Sequence, residues 1–229
     1  LLCSVFELHY LCRPMETELS HFRNCPVAYA DLEAFYAATH VAPRHKVAQL
    51  EQKSELIRLK KGLYVVSPEV SGYPLSLELI ANRLYEPSYL TAESALFHYE
   101  LIPARPRIVC SISTKHTRTF ENTVGRFVYF ICSPEYFPLY VNEVTLCGSH
   151  CCIATPEKAL CDLIVLTKYL RPRSMKQMSS FLVDDLHIDI SRFLKFDASI
   201  IRRIASISMK SKNILPLAEL IERRTLVAL

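Results

Sequence analysis

No uncharged apolar run in this chain of 229 residues reaches the ~18 residues that a membrane-spanning helix needs. There is no G-x-S-x-G elbow, no phosphate-binding glycine loop and no H-E-x-x-H pair. The usual sequence marks of an esterase, a nucleotide hydrolase and a zinc protease are therefore missing. There is no internal repeat and no low-complexity tract. Between Met15 and Ser67 the chain has a single glycine, Gly62. The chain opens on Leu1, and its first methionine is Met15. Residues 1–14 are apolar with Glu7 and Arg13, and they lack the basic start and small-residue cleavage site of a signal peptide. They read as a non-native extension translated from upstream, with the biological start at Met15.

Half of the residues are hydrophobic and 22% are charged, which is the composition of a globular protein and not of a disordered one. The net charge of +4 says little by itself, but its placement is informative. Arg44, Lys46, Lys53, Arg58, Lys60 and Lys61 crowd one stretch in which the only acids are Glu51 and Glu55. The nine cysteines are an odd number and lie mostly in apolar runs, so they read as small core residues kept reduced in a cytosol. His150 lies among Cys147, Cys151 and Cys152, but no second pair at zinc-binding spacing completes a metal site.

Three pieces follow from this: residues 15–68, a linker over 69–74 and a larger piece over 75–229. In the first, Asp31 opens a helix with Leu32, Phe35 and Tyr36 on one face. Pro43 suits the first position of the next helix, where its missing N–H costs nothing. That helix has an apolar face of Val47, Leu50 and Ile57 and a polar face of His45, Lys46, Gln49, Gln52 and Lys53. A hairpin follows with arms Ile57–Lys60 and Leu63–Val66, turned at Lys61-Gly62, where glycine supplies the positive φ such turns require. The linker is marked by Pro68, Gly72 and Pro74.

The third piece starts with helices at Pro74–Leu84 and Thr91–Tyr99, Thr91 being the N-cap of the second. Strands follow at 107–113, 126–132, 143–147 and 150–154. Thr155-Pro156-Glu157-Lys158 then opens a helix to about Leu170, and the rest reads as helices with basic edges. The fold class is α+β: an N-terminal winged helix-turn-helix, then a mixed α/β domain with short strands and a helical end.

A basic helix face beside a cationic hairpin is what a winged helix presents to DNA. The helix enters the major groove and the wing lies along the phosphates. A solvated surface helix is the commoner meaning of the helix pattern alone, and the ribbon after it shifts the balance. The candidate DNA-binding residues are Arg44, His45, Lys46, Gln49, Lys53, Arg58, Lys60 and Lys61, with Gly62 as the wing turn. Gln49 can pair bidentately with adenine, and Arg58, Lys60 and Lys61 can hold phosphates. No catalytic residue and no cofactor is expected. Asp184, Asp185, His187 and Asp189 read as a turn and an N-cap before a helix at Ser191. Glu157, Lys158 and Asp162 resemble a nuclease set in type, but they read more simply as helix capping and a one-turn ion pair. Arg202, Arg203, Lys210 and Lys212 either extend a DNA surface or decorate a helix end.

Three segments resemble the AbiEi-type antitoxin and transcriptional regulator family of type IV toxin–antitoxin systems. They are LIRLKKGLYVV (56–66), EPSYLTAESALFHYELIP (86–103), and GRFVYFICSPEYF (125–137) with IATPEKALCDLI (153–164). The resemblance implies a bacterial, cytoplasmic protein. Its winged helix would bind inverted repeats upstream of its own operon and repress it. Its second domain would counter a nucleotidyltransferase-like toxin without a stable complex. The alternatives are a stand-alone regulator and a protein-interaction module without a toxin partner.

Overall fold

A computed structural model describes residues 18–22 and 25–223 of the chain, so the expectation for residues 1–14 lies outside the described residues. The chain divides into two units between Ser76 and Leu77. Each combines helices with a sheet, so the class is α+β.

In the first unit a 3₁₀ turn, Glu18–Phe22, precedes a two-residue strand, β1 (Val27–Ala28). Helix α1 (Tyr29–Ala37) starts before Asp31 and has Ala28 at its cap, so Asp31 serves in the first turn. There its charge meets the positive end of the helix. Residues 38–42 lead to α2 (Pro43–Gln52), with Pro43 in the first turn. Ile57 does not belong to this helix. The helix ends at Gln52, Ser54 takes φ 59°, and the chain turns into β2 (Leu56–Lys60).

Strand β3 (Leu63–Val66) returns antiparallel across a Lys61-Gly62 turn, with Gly62 at φ 81°. β1 pairs with the other edge of β3, so the order is β1-β3-β2. Leu32, Tyr36, Val47, Leu50, Leu56, Tyr64 and Val66 pack as one core. These are the inward positions of a 3.6-residue and a two-residue period, which is why the helices and the hairpin share it. Within the stretch read as linker, Pro68–Ser71 forms a short helix, α3, whose cap Ser67 accepts from Glu69 N.

The second unit starts with α4 (Leu77–Leu84), later than Pro74. β4 (Ser88–Leu90), α5 (Ala92–His98), β5 (Ile108–Ser113), β6 (Arg118–Glu121) and β7 (Arg126–Ile131) follow. β8 (Val141–Leu146), β9 (Ser149–Ala154) and α6 (Pro156–Leu166) come next. The sheet has the order β6-β7-β5-β4-β9-β8. β5 runs parallel to β7 and β4 parallel to β9, while the other pairs are antiparallel. The shortest of these strands, β4, is therefore central and wholly buried.

Helix α6 opens as its sequence dictates, with Thr155 Oγ1 accepting from Lys158 N and Pro156 in the first turn. It packs on α5 and on α9 (Ala198–Ile207), which pairs in turn with α10 (Ser211–Arg223). Between α6 and α9 in the chain lie α7 (Met175–Ser180), a π-helical stretch over Phe181–Asp185, and α8 (Ile190–Phe193). Asp189 caps α8, accepting from Ser191 N at 2.9 Å and Arg192 N at 3.2 Å. Among the described residues no helix is long and apolar enough to cross a membrane.

Candidate nucleic-acid interface

Val47 and Leu50 sink into the core of the first unit, and this rotation decides what α2 shows outside. His45, Gln49, Gln52 and Lys53 are exposed. His45, Gln49 and Gln52 line an open groove of about 510 Å³ along α2, reaching to His40 and Val41 in the connection from α1. Val41 is fully exposed.

The cations fall into two groups. Arg44 Nε donates to Glu33 on α1 at 2.9 Å, and this hydrogen bond raises the guanidinium pKa further. Arg58 lies 3.8 Å from Glu51, which also accepts from the Tyr64 hydroxyl at 3.3 Å. α2 is thereby tied to both arms of the hairpin.

Lys46 departs most from expectation. It is half-buried, with its ammonium 5.6 Å above the ring centre of Tyr36 and 3.9 Å from Glu18. It borders the apolar stripe at Val47, so its stem packs inward and its charge is met inside the unit. The Tyr36 hydroxyl is buried without a hydrogen-bond partner among the described residues. Burial, and then Glu18 and Glu55, push its pKa up to about 12.

Lys53 and Lys61 form the second group. Both are exposed, and among the described residues neither has a carboxylate within ion-pair distance. Lys60 is half-buried on β2 beside the turn. The interface thus offers Gln49 and His45 from the helix, and Lys53 and Lys61 as cations ready for an anion. Arg44 and Arg58 can exchange a carboxylate for a phosphate.

Glu18 and Glu33 were invisible as part of this surface, because they come from the 3₁₀ turn and from α1. The sequence signal available was only the pair Glu51 and Glu55 inside the basic stretch.

The other candidate clusters resolve into structure. Lys158 and Asp162 are entirely buried, 3.5 Å apart. Asp162 accepts from Tyr136 and Thr91 hydroxyls at 2.6 Å and from the Tyr89 hydroxyl at 3.2 Å. Thr91 stands at the cap of α5, yet its hydroxyl serves Asp162 and not a helix N–H. Burial pushes the Asp162 carboxyl up and the Lys158 ammonium down.

Strand alternation separates the Cys/His cluster. Cys151 points into the core, while His150 is exposed beside Glu143 at 3.2 Å. Among the described residues no group of three or more His, Cys, Asp or Glu side chains is placed to hold a metal ion.

Arg202 makes a bidentate pair with Glu222 at 2.7 Å. Lys210 Nζ donates to the carbonyls of Ile164 and Thr167 at 2.8 and 2.7 Å, closing the C-terminal end of α6. These two cations belong to the fold.

Comparison with protein-family models and with curated protein sequences finds no match for this chain.

Proposed function

We propose that this chain is a DNA-binding repressor whose first unit is a winged helix, with α2 as the reading helix and the β2–β3 hairpin as the wing. The carrying observation is the order β1, α1, α2, hairpin, closed into a β1-β3-β2 sheet, with Lys53 after α2 and Lys61 at the hairpin turn lacking carboxylate partners among the described residues. A helix-turn-helix reads base edges from its second helix, and cations on an adjoining ribbon hold phosphates. Gln49 and His45 occupy the reading positions. The antitoxin role, acting against a nucleotidyltransferase-like toxin, belongs to the same proposal and rests on the resemblance of the three segments alone.

The test is a mobility shift on the DNA just upstream of the gene, with random DNA as competitor and a salt series. Specific retention that falls steeply with salt and is lost in Lys53→Ala/Lys61→Ala supports the proposal. The absence of a specific shift at low salt sinks it. Neutralisation of an adjacent nucleotidyltransferase toxin in co-expression tests the second half.

One observation favours a second reading, a protein-docking module. Arg44, Lys46 and Arg58 already face carboxylates, and Val41 is fully exposed beside them. Partner capture that persists at high salt and ignores DNA would favour that reading.

A further inference from the structure

The β5–β6 connection of the second unit carries Lys115, His116 and Thr117, and Arg118 opens β6 directly after it, all four exposed. Among the described residues none of these three basic side chains has an ion-pair partner. The two nearest acids by sequence and register are otherwise engaged or placed. Glu86 pairs with Arg83 at 3.1 Å, and Glu121 stands opposite Arg126 in the β6–β7 register.

The cations are nevertheless held in place. Lys115 Nζ lies 5.5 Å from the ring centre of Tyr85, and the Arg118 guanidinium lies 5.8 Å from the same centre and 4.8 Å from that of Phe120. Tyr85 and Phe120 in turn pack edge-on against Tyr129, which is fully buried and bonded to the Ala81 carbonyl at 2.6 Å. Lys115 also donates to the Glu86 carbonyl, and its own N–H donates to Ser113 Oγ at 3.1 Å.

An arginine stacked on a ring keeps its N–H edges outward for a phosphate, and its rotamer entropy is already spent. Two such cations on one aromatic base make a pre-ordered polyanion site, unlike a scatter of solvated lysines. Glu86 also lines a cleft of about 640 Å³ whose walls set Pro87, Phe137 and Val141 beside Asn82, Arg83 and His150. That is the size of a small-ligand site. A duplex keeps its bases stacked and has nothing to place there, whereas a single strand can turn a base out into a cleft that offers both an aromatic wall and polar edges.

We propose that Lys115 and Arg118 form a phosphate-binding surface for single-stranded nucleic acid, with the neighbouring cleft admitting an unstacked base. This surface is independent of the reading of the first unit.

The experiment is fluorescence anisotropy of the full chain with a labelled twelve-nucleotide single strand, as RNA and as DNA, across a salt series. Arms with duplex DNA and with poly-glutamate as competitor accompany it. The expected result is a roughly tenfold loss of single-strand binding in Lys115→Ala/Arg118→Ala, with the salt slope reduced by about 1.4 because two phosphates are no longer neutralised. Duplex binding should be retained in that variant. Single-strand binding should stay within about twofold in Lys53→Ala/Lys61→Ala, so that failure of the first-unit reading and of this one are separable. Unchanged single-strand binding in Lys115→Ala/Arg118→Ala overturns the proposal. So does equal competition by poly-glutamate, which assigns the patch to an acidic protein. Should the variant fold poorly, amine acetylation of the wild-type chain decides. Protection of Lys115 by the oligonucleotide supports the site, and no protection overturns it.

Discussion

Asp162 lies one helical turn from Lys158 at 3.5 Å, and neither side chain reaches solvent. Tyr89 and Thr91 on and beside β4, and Tyr136 before β8, all donate to that one carboxylate. The pair therefore joins α6 to the central strand of the sheet. Asp162→Ala leaves an unpaired buried ammonium and three hydroxyls without an acceptor. A loss of about 3–5 kcal/mol is expected in urea unfolding, enough to unfold many domains of this size. Replacing the pair together, as Lys158→Met/Asp162→Leu, should cost clearly less than the single change, because no charge is then stranded. Equal losses would show that the pair is not the source.

Gly62 turns the hairpin at φ 81°, and a Cβ there meets nothing within 4 Å. Gly62→Ala therefore tests the backbone conformation without a clash. A destabilisation of about 1–2 kcal/mol is expected for an L-residue held in that region. A neutral result in thermal unfolding would mean that the turn relaxes to another type.

Glu33 holds Arg44 at 2.9 Å on the exposed side of α1 and α2. If the first unit binds DNA, Glu33→Gln frees this guanidinium for a phosphate. The salt slope of duplex binding should steepen by about 0.9, with tighter binding at low salt. An unchanged slope places Arg44 outside the interface.

Acid pH should act in part through two helix caps. Asp189 and Asp197 are held below the ordinary carboxylate value of 3.8, chiefly by hydrogen bonds from Ser191 and Ser199. A depressed carboxylate binds fewer protons in the folded state than in the unfolded one. Its contribution is present above the unfolded value and is lost as pH falls through the folded one. Stability measured by urea unfolding from pH 5 to pH 2 should therefore fall less in Asp189→Asn/Asp197→Asn than in the wild type. An identical acid limb would remove the caps from the account.

Thiol labelling checks the burial pattern. Cys147 is exposed in the β8–β9 turn, whereas Cys161 is buried in α6 and burial pushes its thiol well up. Maleimide at neutral pH, read by peptide mass spectrometry, should modify Cys147 early and Cys161 only on unfolding.

In the first unit α2 and the hairpin were legible because punctuation and period agreed there, whereas β1 and α3 were not. Pro43 set a helix start, Gly62 set a turn, and alternation set the strands between. The strands around 108–113, 126–131, 141–146 and 149–154 were legible from β-branched and aromatic runs. β4 and β6 were not, since such short strands carry little period and no glycine turn like Lys61-Gly62 marks them. β4 is a strand because β5 and β9 flank it. The same limit applies to the surface. Lys46 belongs by pattern to the polar face, yet Tyr36 and Glu18, brought from elsewhere in the unit, draw it inward. Lys158 and Asp162 were legible as a helical pair, but their complete burial depends on Tyr89, Thr91 and Tyr136, distant in sequence.

The position of β4 also orders events on the ribosome. Its neighbour β5 follows within the same stretch of chain, but its other neighbour, β9, begins only at Ser149. Synthesis of the intervening residues takes roughly 3–12 s at ordinary elongation rates. For that interval β4 is an open edge with unpaired backbone groups, and Tyr89 and Thr91 wait for a carboxylate still to be made. A nascent chain paused before β9 is thus sticky in a way the finished protein is not.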